Sequence, residues 1–405
     1  MTRRYSFPDG HWDWPVKLTH HHAVRAGDMI FTGGQVDLDA QGNVRNIGDL
    51  TAQCRNSMAY MANLFSDLGV DFDDLVRLVV YYVGDANDEG HLQELLSQII
   101  GDTARPVISM INMPELCYPD MLTEIEGVAM RRPDGARIPK QCHRLEDMPY
   151  LPDGFSHVVR SEDMVFTSEM SALTPHGTVE APDNIPAQTA KTMERLTRAL
   201  STVDADLHDI VKLNTFYQDD LHGSSWKKAA SLRASYFSDP GPAATGIPVS
   251  NFAHEGLTTK IAATAICSSA TDEPKNFAWP DGHWNWTTPL PYKQGNRCGN
   301  VIHIGGQVAL DHQAQVLQPG DMVAQTKIAM DNLSKVLAEF GATLDDVVKV
   351  TTFYQGSASA EALHENLLIR SNSYTAPGPA TTGIPVPALI YEGMMIEIEA
   401  IAILD

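Results

Sequence analysis

The side chains of this chain that could do chemistry are strand carboxylates and one arginine. ThrGluIleGlu at Thr123–Glu126 is echoed by IleGluIleGlu at Ile396–Glu399, and Arg105 stands just before Pro106. A carboxylate beside a bound molecule can orient or deprotonate water. A guanidinium can grip a carboxylate through two parallel hydrogen bonds. Taken alone, Arg105 reads first as an ordinary surface ion-pair residue in an acidic chain. The two glutamates of each pair, Glu124 with Glu126 and Glu397 with Glu399, are expected to divide between the faces of the sheet, with Glu124 inward. His20-His21-His22 invites a metal, but neighbours on a strand point to opposite faces. No cysteine or aspartate cluster at zinc spacing accompanies them, so no metal site is expected. GxSxG, P-loop and Rossmann fingerprints are absent from the sequence.

These residues sit in a pattern that recurs three times. GlyGlyGlnValAspLeuAsp at Gly33–Asp39 returns as GlyGlyGlnValAlaLeuAsp at Gly305–Asp311, with a worn copy, SerGluMetSerAlaLeuThr, at Ser168–Thr174. AspLeuValArgLeu at Asp74–Leu78, AspIleValLysLeu at Asp209–Leu213 and AspValValLysVal at Asp346–Val350 keep the same register. So do Gln53, Gln188 and Gln325, each opening a helical pattern. The period, about 135 residues, is that of a single domain. Domains are therefore expected at 1–135, 136–272 and 273–405, with linkers near Arg131–Ala136 and Ser268–Pro274.

Each repeat reads as ββαβαββ, an α+β unit with helices on one face of a sheet. In the first, Asp28–Val36 reads as a strand. Met58, Met61, Ala62 and Phe65 mark a helix that Gly69 ends. Leu75–Val83 reads as a buried strand. PheProAspGlyHisTrpAspTrp (Phe7–Trp14) returns as TrpProAspGlyHisTrpAsnTrp (Trp279–Trp286), a decoration absent from the second repeat. Its tryptophans read as aromatic anchors between domains, since Trp buries a large area. Stacking on a planar ligand is the competing role. ThrGlyIleProVal at Thr245–Val249 and Thr382–Val386, each followed by GluGly, is a bend or a second kind of site built on Thr381, Thr382, Glu392 and Glu397.

The formal net charge of −22 lacks the basic footprint that a phosphate backbone requires. It argues against nucleic acid and against an anionic membrane surface. Five cysteines without CxxC spacing fit a reducing cytosol better than a disulfide framework. No signal peptide and no run long enough to span a membrane are expected.

The ordered markers, with ArgAlaGlyAsp at Arg25–Asp28, ThrAlaArgPro at Thr103–Pro106 and IleGluIleGluAlaIleAla at Ile396–Ala402, resemble the RidA (YjgF) family of reactive-intermediate deaminases. The resemblance covers essentially the whole chain, three times over. It implies three RidA-like, chorismate-mutase-like domains forming an intramolecular pseudo-trimer, with ligand cavities between repeats. It implies a C–N hydrolase or deaminase without a cofactor, acting on a small, anionic enamine, imine or related metabolite.

By this resemblance the family arginine falls on Arg105, Ala244 and Thr381. The water-directing glutamate falls on Glu124, Lys260 and Glu397. The polar GlyGln turn falls on Gly34-Gln35, Glu169-Met170 and Gly306-Gln307. A capping aromatic falls on His20, Phe155 and Tyr292. Only the first repeat then keeps Arg105, Glu124 and Gly34-Gln35 together, closed by Tyr292 or Phe155 of a neighbour, and the second repeat reads as a structural partner. The alternatives are a hydrolase of a stabler amide, urea or heterocyclic C–N bond using Glu397, Glu392 and Thr381, or a binding protein without catalysis. The family's older label, endoribonuclease, fits badly with the charge. A homodimer of pseudo-trimers is left open.

Overall fold

The computed structural model describes residues 3–218, 224–267 and 274–405; the linker expected at Ser268–Pro274 lies, except for Pro274, outside them. The first repeat runs β1 (Arg4–Ser6), β2 (Ala23–Ala26), β3 (Met29–Thr32), α1 (Leu50–Leu68), β4 (Leu75–Tyr82), α2 (Ala86–Ile100), β5 (Val107–Asn112), β6 (Thr123–Met130). Its sheet has the order β1-β2-β3-β6-β4-β5, with β4 and β5 parallel and the other pairs antiparallel. The expected ββαβαββ string thus gains a short edge strand, because Arg4–Ser6 pairs with β2.

The second repeat continues with β7 (Lys140–His143), β8 (Val158–Ser161), β9 (Met164–Thr167), β10 (Met170–Ser171), α3 (Ile185–Ser201), β11 (Ile210–Gln218), α4 (Ser224–Ala234), β12 (Ala243–Val249) and β13 (Thr259–Ile266). The third holds β14 (Asn276–Ala278), β15 (Gly295–Cys298), β16 (Val301–Val308), α5 (Met322–Ala338), β17 (Val347–Gln355), α6 (Ala360–Asn372), β18 (Ala380–Val386) and β19 (Ile396–Ile403). Both repeat the first sheet's order, and β10 adds one further pairing to β13.

Local chemistry sets the helix ends. The Asp49 side chain accepts from Ala52 N at the start of α1, and Gly69, with φ 76°, closes it in the left-handed region that glycine tolerates. Cys54, Met58, Met61 and Phe65 on the inner stripe of α1 pack with Leu75, Leu78 and Ile125 of the sheet.

The glutamine marker has a structural meaning. Gln53 Oε1 accepts from Leu122 N at 2.7 Å, Gln188 Oε1 from Thr258 N at 2.8 Å, and Gln325 Oε1 from Met395 N at 2.7 Å. Each clamps the first long helix of its repeat to the turn that starts β6, β13 or β19. Those strands carry Glu124, Lys260 and Glu397.

The three sheets turn their inner faces to a common axis, where Tyr81, Phe216 and Phe353 pack edge to face with centroids 5.8–6.4 Å apart. The repeats join head to tail. His21 bridges Ala380, Ser156 bridges Val107, and Lys293 bridges Ala243. The turn of the first repeat therefore sits on β18, that of the second on β5, and that of the third on β12.

Candidate active sites at the repeat seams

Glu124 lies on β6 opposite Tyr81, Lys260 on β13 opposite Phe216, and Glu397 on β19 opposite Phe353. These are equivalent places in three sheets. The expected division of each glutamate pair between two faces is overturned: residues two apart on a strand share a face. Ile125, between Glu124 and Glu126, is the one that points into the helix-packed core. Glu124 and Glu397 face the seams, while Glu126 and Glu399 face the axis.

At the seam of repeats 1 and 3 a cavity is lined by Trp12, Trp14, Gly34, Cys117, Glu124, Arg370 and Thr381, among others. Arg370, on α6, is fully buried. Its Nε and Nη2 donate to Asn366 Oδ1 at 3.0 and 2.8 Å, and its Nη1 donates to Thr381 Oγ1 at 3.0 Å. Three of its five N–H groups are thus held by neutral partners, and no carboxylate pairs with it among the described residues. Burial brings its pKa down to about 10, so it stays charged near neutrality. Burial pushes the Glu124 carboxyl up to about 8, and Glu126 adds to the rise. The Cys117 thiol lies 3.5 Å from Glu124 Oε2 and also donates to Gly383 O. Burial raises that thiol well above its ordinary value.

The seam of repeats 3 and 2 repeats the arrangement. Glu397, Arg233, Tyr292, Trp286, Leu290 and Met394 line its cavity. Burial raises Glu397 to about 8. Arg233, on α4, donates from Nε to Tyr292 Oη at 3.0 Å, and its guanidinium lies 5.6 Å from that ring's centre.

The seam of repeats 2 and 1 also holds a cavity, lined by Glu89, Ile108, Leu151, His157, Glu169 and Lys260 among others, but its charges pair with one another. Glu169 occupies the place of Gly34, and Lys260 that of Glu124. Lys260 Nζ lies 3.3 Å from Glu169 and 3.2 Å from Glu89 on α2. Burial alone would raise Glu89, but Lys260, His254 and Tyr82 together hold it at about 2.

Several expected site residues fall elsewhere. Arg105 is half-buried on the loop before β5, and its neighbour Pro106 accepts from Ser156 N of the second repeat at 2.9 Å. It stands at the seam of repeats 2 and 1, not with Glu124. Strand register gives the reason: Arg77 pairs with Val107, Lys212 with Ala243 and Lys349 with Ala380. Arg105 is therefore equivalent to Gly241 and Gly378, not to Ala244 and Thr381.

The seam arginines come from the helices. Arg233 precedes Ala243 by the interval at which Arg370 precedes Ala380, and Ser97 holds that place in the first repeat. The LeuArg and IleArg of Leu232-Arg233 and Ile369-Arg370 were the available signal. Their presence also overturns the reading of the second repeat as a structural partner only, since it supplies Arg233.

The backbone of Gly34-Gln35 is not free to hold developing charge. Gly34 N donates to Thr381 O at 3.1 Å and Gln35 N to Ile125 O at 2.7 Å. Gly34 serves by lacking a Cβ, which would overlap Glu124 Oε1. Gln35 is a tie for the aromatic arm: His11 Nε2 lies 2.8 Å from its Oε1, as His283 Nε2 does from Gln307 Oε1.

Phe155 is buried among Leu92, Leu95 and Ile108 of the first repeat's core and does not reach the Glu124 cavity; nor does Tyr292, which closes the Glu397 cavity. His20 is buried edge-on to Tyr374, with Nδ1 3.2 Å from Pro379 O. Thr381 does line the Glu124 cavity, whereas Glu392 is exposed on a turn before Gly393, whose φ is 85°. The tryptophans are anchors and walls together: Trp12 is buried against His22, while Trp14 and Trp286 are half-buried cavity walls.

The profile of the family described as Endoribonuclease L-PSP matches three segments, 16–131, 146–267 and 287–404. The chain belongs to this family, as three tandem RidA copies. A RutC family protein of Pyrococcus abyssi is 34% identical over 112 residues, which are 28% of this chain and 85% of that protein. The 2-iminobutanoate/2-iminopropanoate deaminase of Mus musculus is 34% identical over 113 residues, 28% of this chain and 81% of the deaminase. The enzyme of the same name from Escherichia coli K12 is 32% identical over 116 residues, 28% of this chain and 87% of it. A chorismatase crystal structure superposes with a TM-score of 0.53 at 13% identity, covering 82% of this chain and 93% of that one; it shares the fold. Among the described residues no helix is long and apolar enough to cross a membrane.

Proposed function

We propose that the chain hydrolyses the C–N bond of small anionic imino or enamino acids, without a cofactor, in the two seams that combine a buried glutamate with an arginine. The observation that carries this is Arg370: a fully buried guanidinium with no carboxylate partner among the described residues, lining one cavity with the carboxyl of Glu124. Arg233 and Glu397 repeat the pairing. A buried cation without an anion is costly, and a substrate carboxylate supplies the anion. The deaminase relatives act on 2-imino acids by their names.

A carboxyl with a pKa of about 8 is populated in both forms near neutrality. Protonated Glu124 gives its proton to the imine nitrogen. Water then attacks the carbon, and the carboxylate takes the water's proton. A second transfer to nitrogen lets ammonia leave as the C–N bond breaks, and the carbinol hydroxyl returns its proton to the carboxylate as the C=O bond forms. One imino acid and one water become one 2-oxo acid and one ammonia, and Glu124 ends as it began.

The test is ammonia release from freshly generated 2-iminopropanoate. Arg370→Met and Arg233→Met should each lower it, and the double variant should abolish it. Full activity in the double variant would overturn the reading. Tight binding of the imino acid without ammonia release would make the seams binding sites only.

A second substrate is favoured for the Glu397 cavity by its walls. Leu290, Ile390 and Met394 give it an apolar side that suits a bulkier group on a stabler amide, urea or heterocycle. A screen of such compounds with Glu397→Gln separates the two cavities.

A further inference from the structure

The axis of the ring holds a second set of repeated residues, facing a cavity of about 70 Å³. At one seam Lys349 Nζ donates to Glu126 Oε2 at 2.7 Å and to Thr382 Oγ1 at 2.5 Å, and the Thr382 hydroxyl donates to Glu126 at 2.5 Å. At the next, Lys212 Nζ lies 2.8 Å from Glu399 Oε2 and donates to Thr245 Oγ1 at 2.5 Å. Each is a cation and a hydroxyl from one repeat completed by a carboxylate from the next.

The third seam has the cation and the hydroxyl but not the carboxylate. Arg77 holds the register place of Lys212 and Lys349, and Ser109 that of Thr245 and Thr382. The place of Glu126 and Glu399 is Ala262: Val79 pairs with Glu126, Asn214 with Ala262 and Thr351 with Glu399. The consequences are visible. Arg77 Nε and Ser109 Oγ are buried without hydrogen-bond partners, and so is Nδ1 of His303 on the same wall. Arg77 forms no ion pair among the described residues. The other charged groups of this wall, Glu169 and Lys260, answer each other. The axial triads therefore carry three cations against two carboxylates.

We propose that the axial cavity is an anion site for one small monocarboxylate, seated where the third triad lacks its glutamate. Its carboxylate takes the parallel N–H groups of Arg77 and the hydroxyl of Ser109. Its alkyl end lies toward Ala262, in the space that a glutamate side chain fills at the other seams. The volume has room for roughly five waters by the usual share of such a cavity, which suits acetate or propionate.

The test uses the full chain carrying Arg370→Met and Arg233→Met, so that the outer seams do not compete. Saturation-transfer NMR with acetate should still show binding, at one site per chain by calorimetry. Ala262→Glu added to that background supplies the missing carboxylate and should weaken acetate at least tenfold, as should Arg77→Met. Loss of all acetate binding in the parent background overturns the proposal, and so does acetate binding that Ala262→Glu leaves unchanged. Displacement of acetate by an equal concentration of chloride overturns its carboxylate specificity. Should the multiple variants fail to fold, crystals of the unaltered protein soaked in 3-bromopropionate decide. A bromine peak near Ala262, with density reaching Arg77 and Ser109, supports the site, and its absence there overturns it.

Discussion

Glu124 of the first repeat and Arg370 of the third line one cavity, and neither repeat holds both. The same division recurs between Glu397 and Arg233. The acid arrives on the last strand of one repeat and the guanidinium on the second helix of its neighbour. Assembly of the ring, more than the fold of any one repeat, brings the pair together.

With the Glu397 cavity silenced by Glu397→Gln, Arg370→Met should lower kcat/KM for a small imino acid by about 30- to 3000-fold, the range for truncating one partner of a buried charge pair. Arg105→Ala should leave it within about threefold, because Arg105 stands at the seam of repeats 2 and 1 and does not line the Glu124 cavity. Steady-state kinetics on the two variants check this, and a large loss in Arg105→Ala would reverse the assignment.

Stability should fall as pH rises across the range where Glu124 and Glu397 ionise. Their folded pKa values of about 8 exceed the ordinary 4.5, so the stability they contribute is complete below about 4.5 and is lost as pH climbs through 8. The expected change is on the order of a few kcal/mol for each carboxyl. Thermal midpoints at pH 5.5 and 8.5 should diverge more in the natural chain than in Glu124→Gln/Glu397→Gln. Equal divergence would contradict the buried-acid description.

Lys260→Met should destabilise the chain by about 3–5 kcal/mol, since it leaves Glu89 buried without its cation. The loss should be greater at pH 8 than at pH 5, where Glu89 can protonate. Denaturant midpoints at the two pH values measure it.

Gly34→Ala should cost about 1–3 kcal/mol and depress turnover, because the added methyl overlaps the Glu124 carboxyl. Gly306→Ala should do the same at Glu397. Activity assays with each variant would show whether one cavity or both turn over a given compound.

Much of this was legible in the chain. The three repeats followed from markers in one register, and the acids Glu124 and Glu397 from matching strand endings. The arginines were not, because ThrAlaArgPro sets an arginine beside a strand start, whereas Arg233 and Arg370 lie on helices. A guanidinium reaching a cavity from a helix leaves only a repeated LeuArg or IleArg in the sequence. The backbone of Gly34-Gln35 looked available because its partner, Thr381 O, belongs to a distant repeat. The axial triads were hidden for the same reason: Lys349 and Glu126 become neighbours only when the ring closes.

The third repeat contributes to both cavities that combine a buried glutamate with an arginine, with Glu397 in one and Arg370 in the other. Substitutions that retune one cavity from the first or second repeat leave the other untouched. Any that shift the third repeat's sheet are felt twice. Divergence of the two cavities is therefore free at the first and second copies and constrained at the third, which ties the inheritance of one cavity to that of the other.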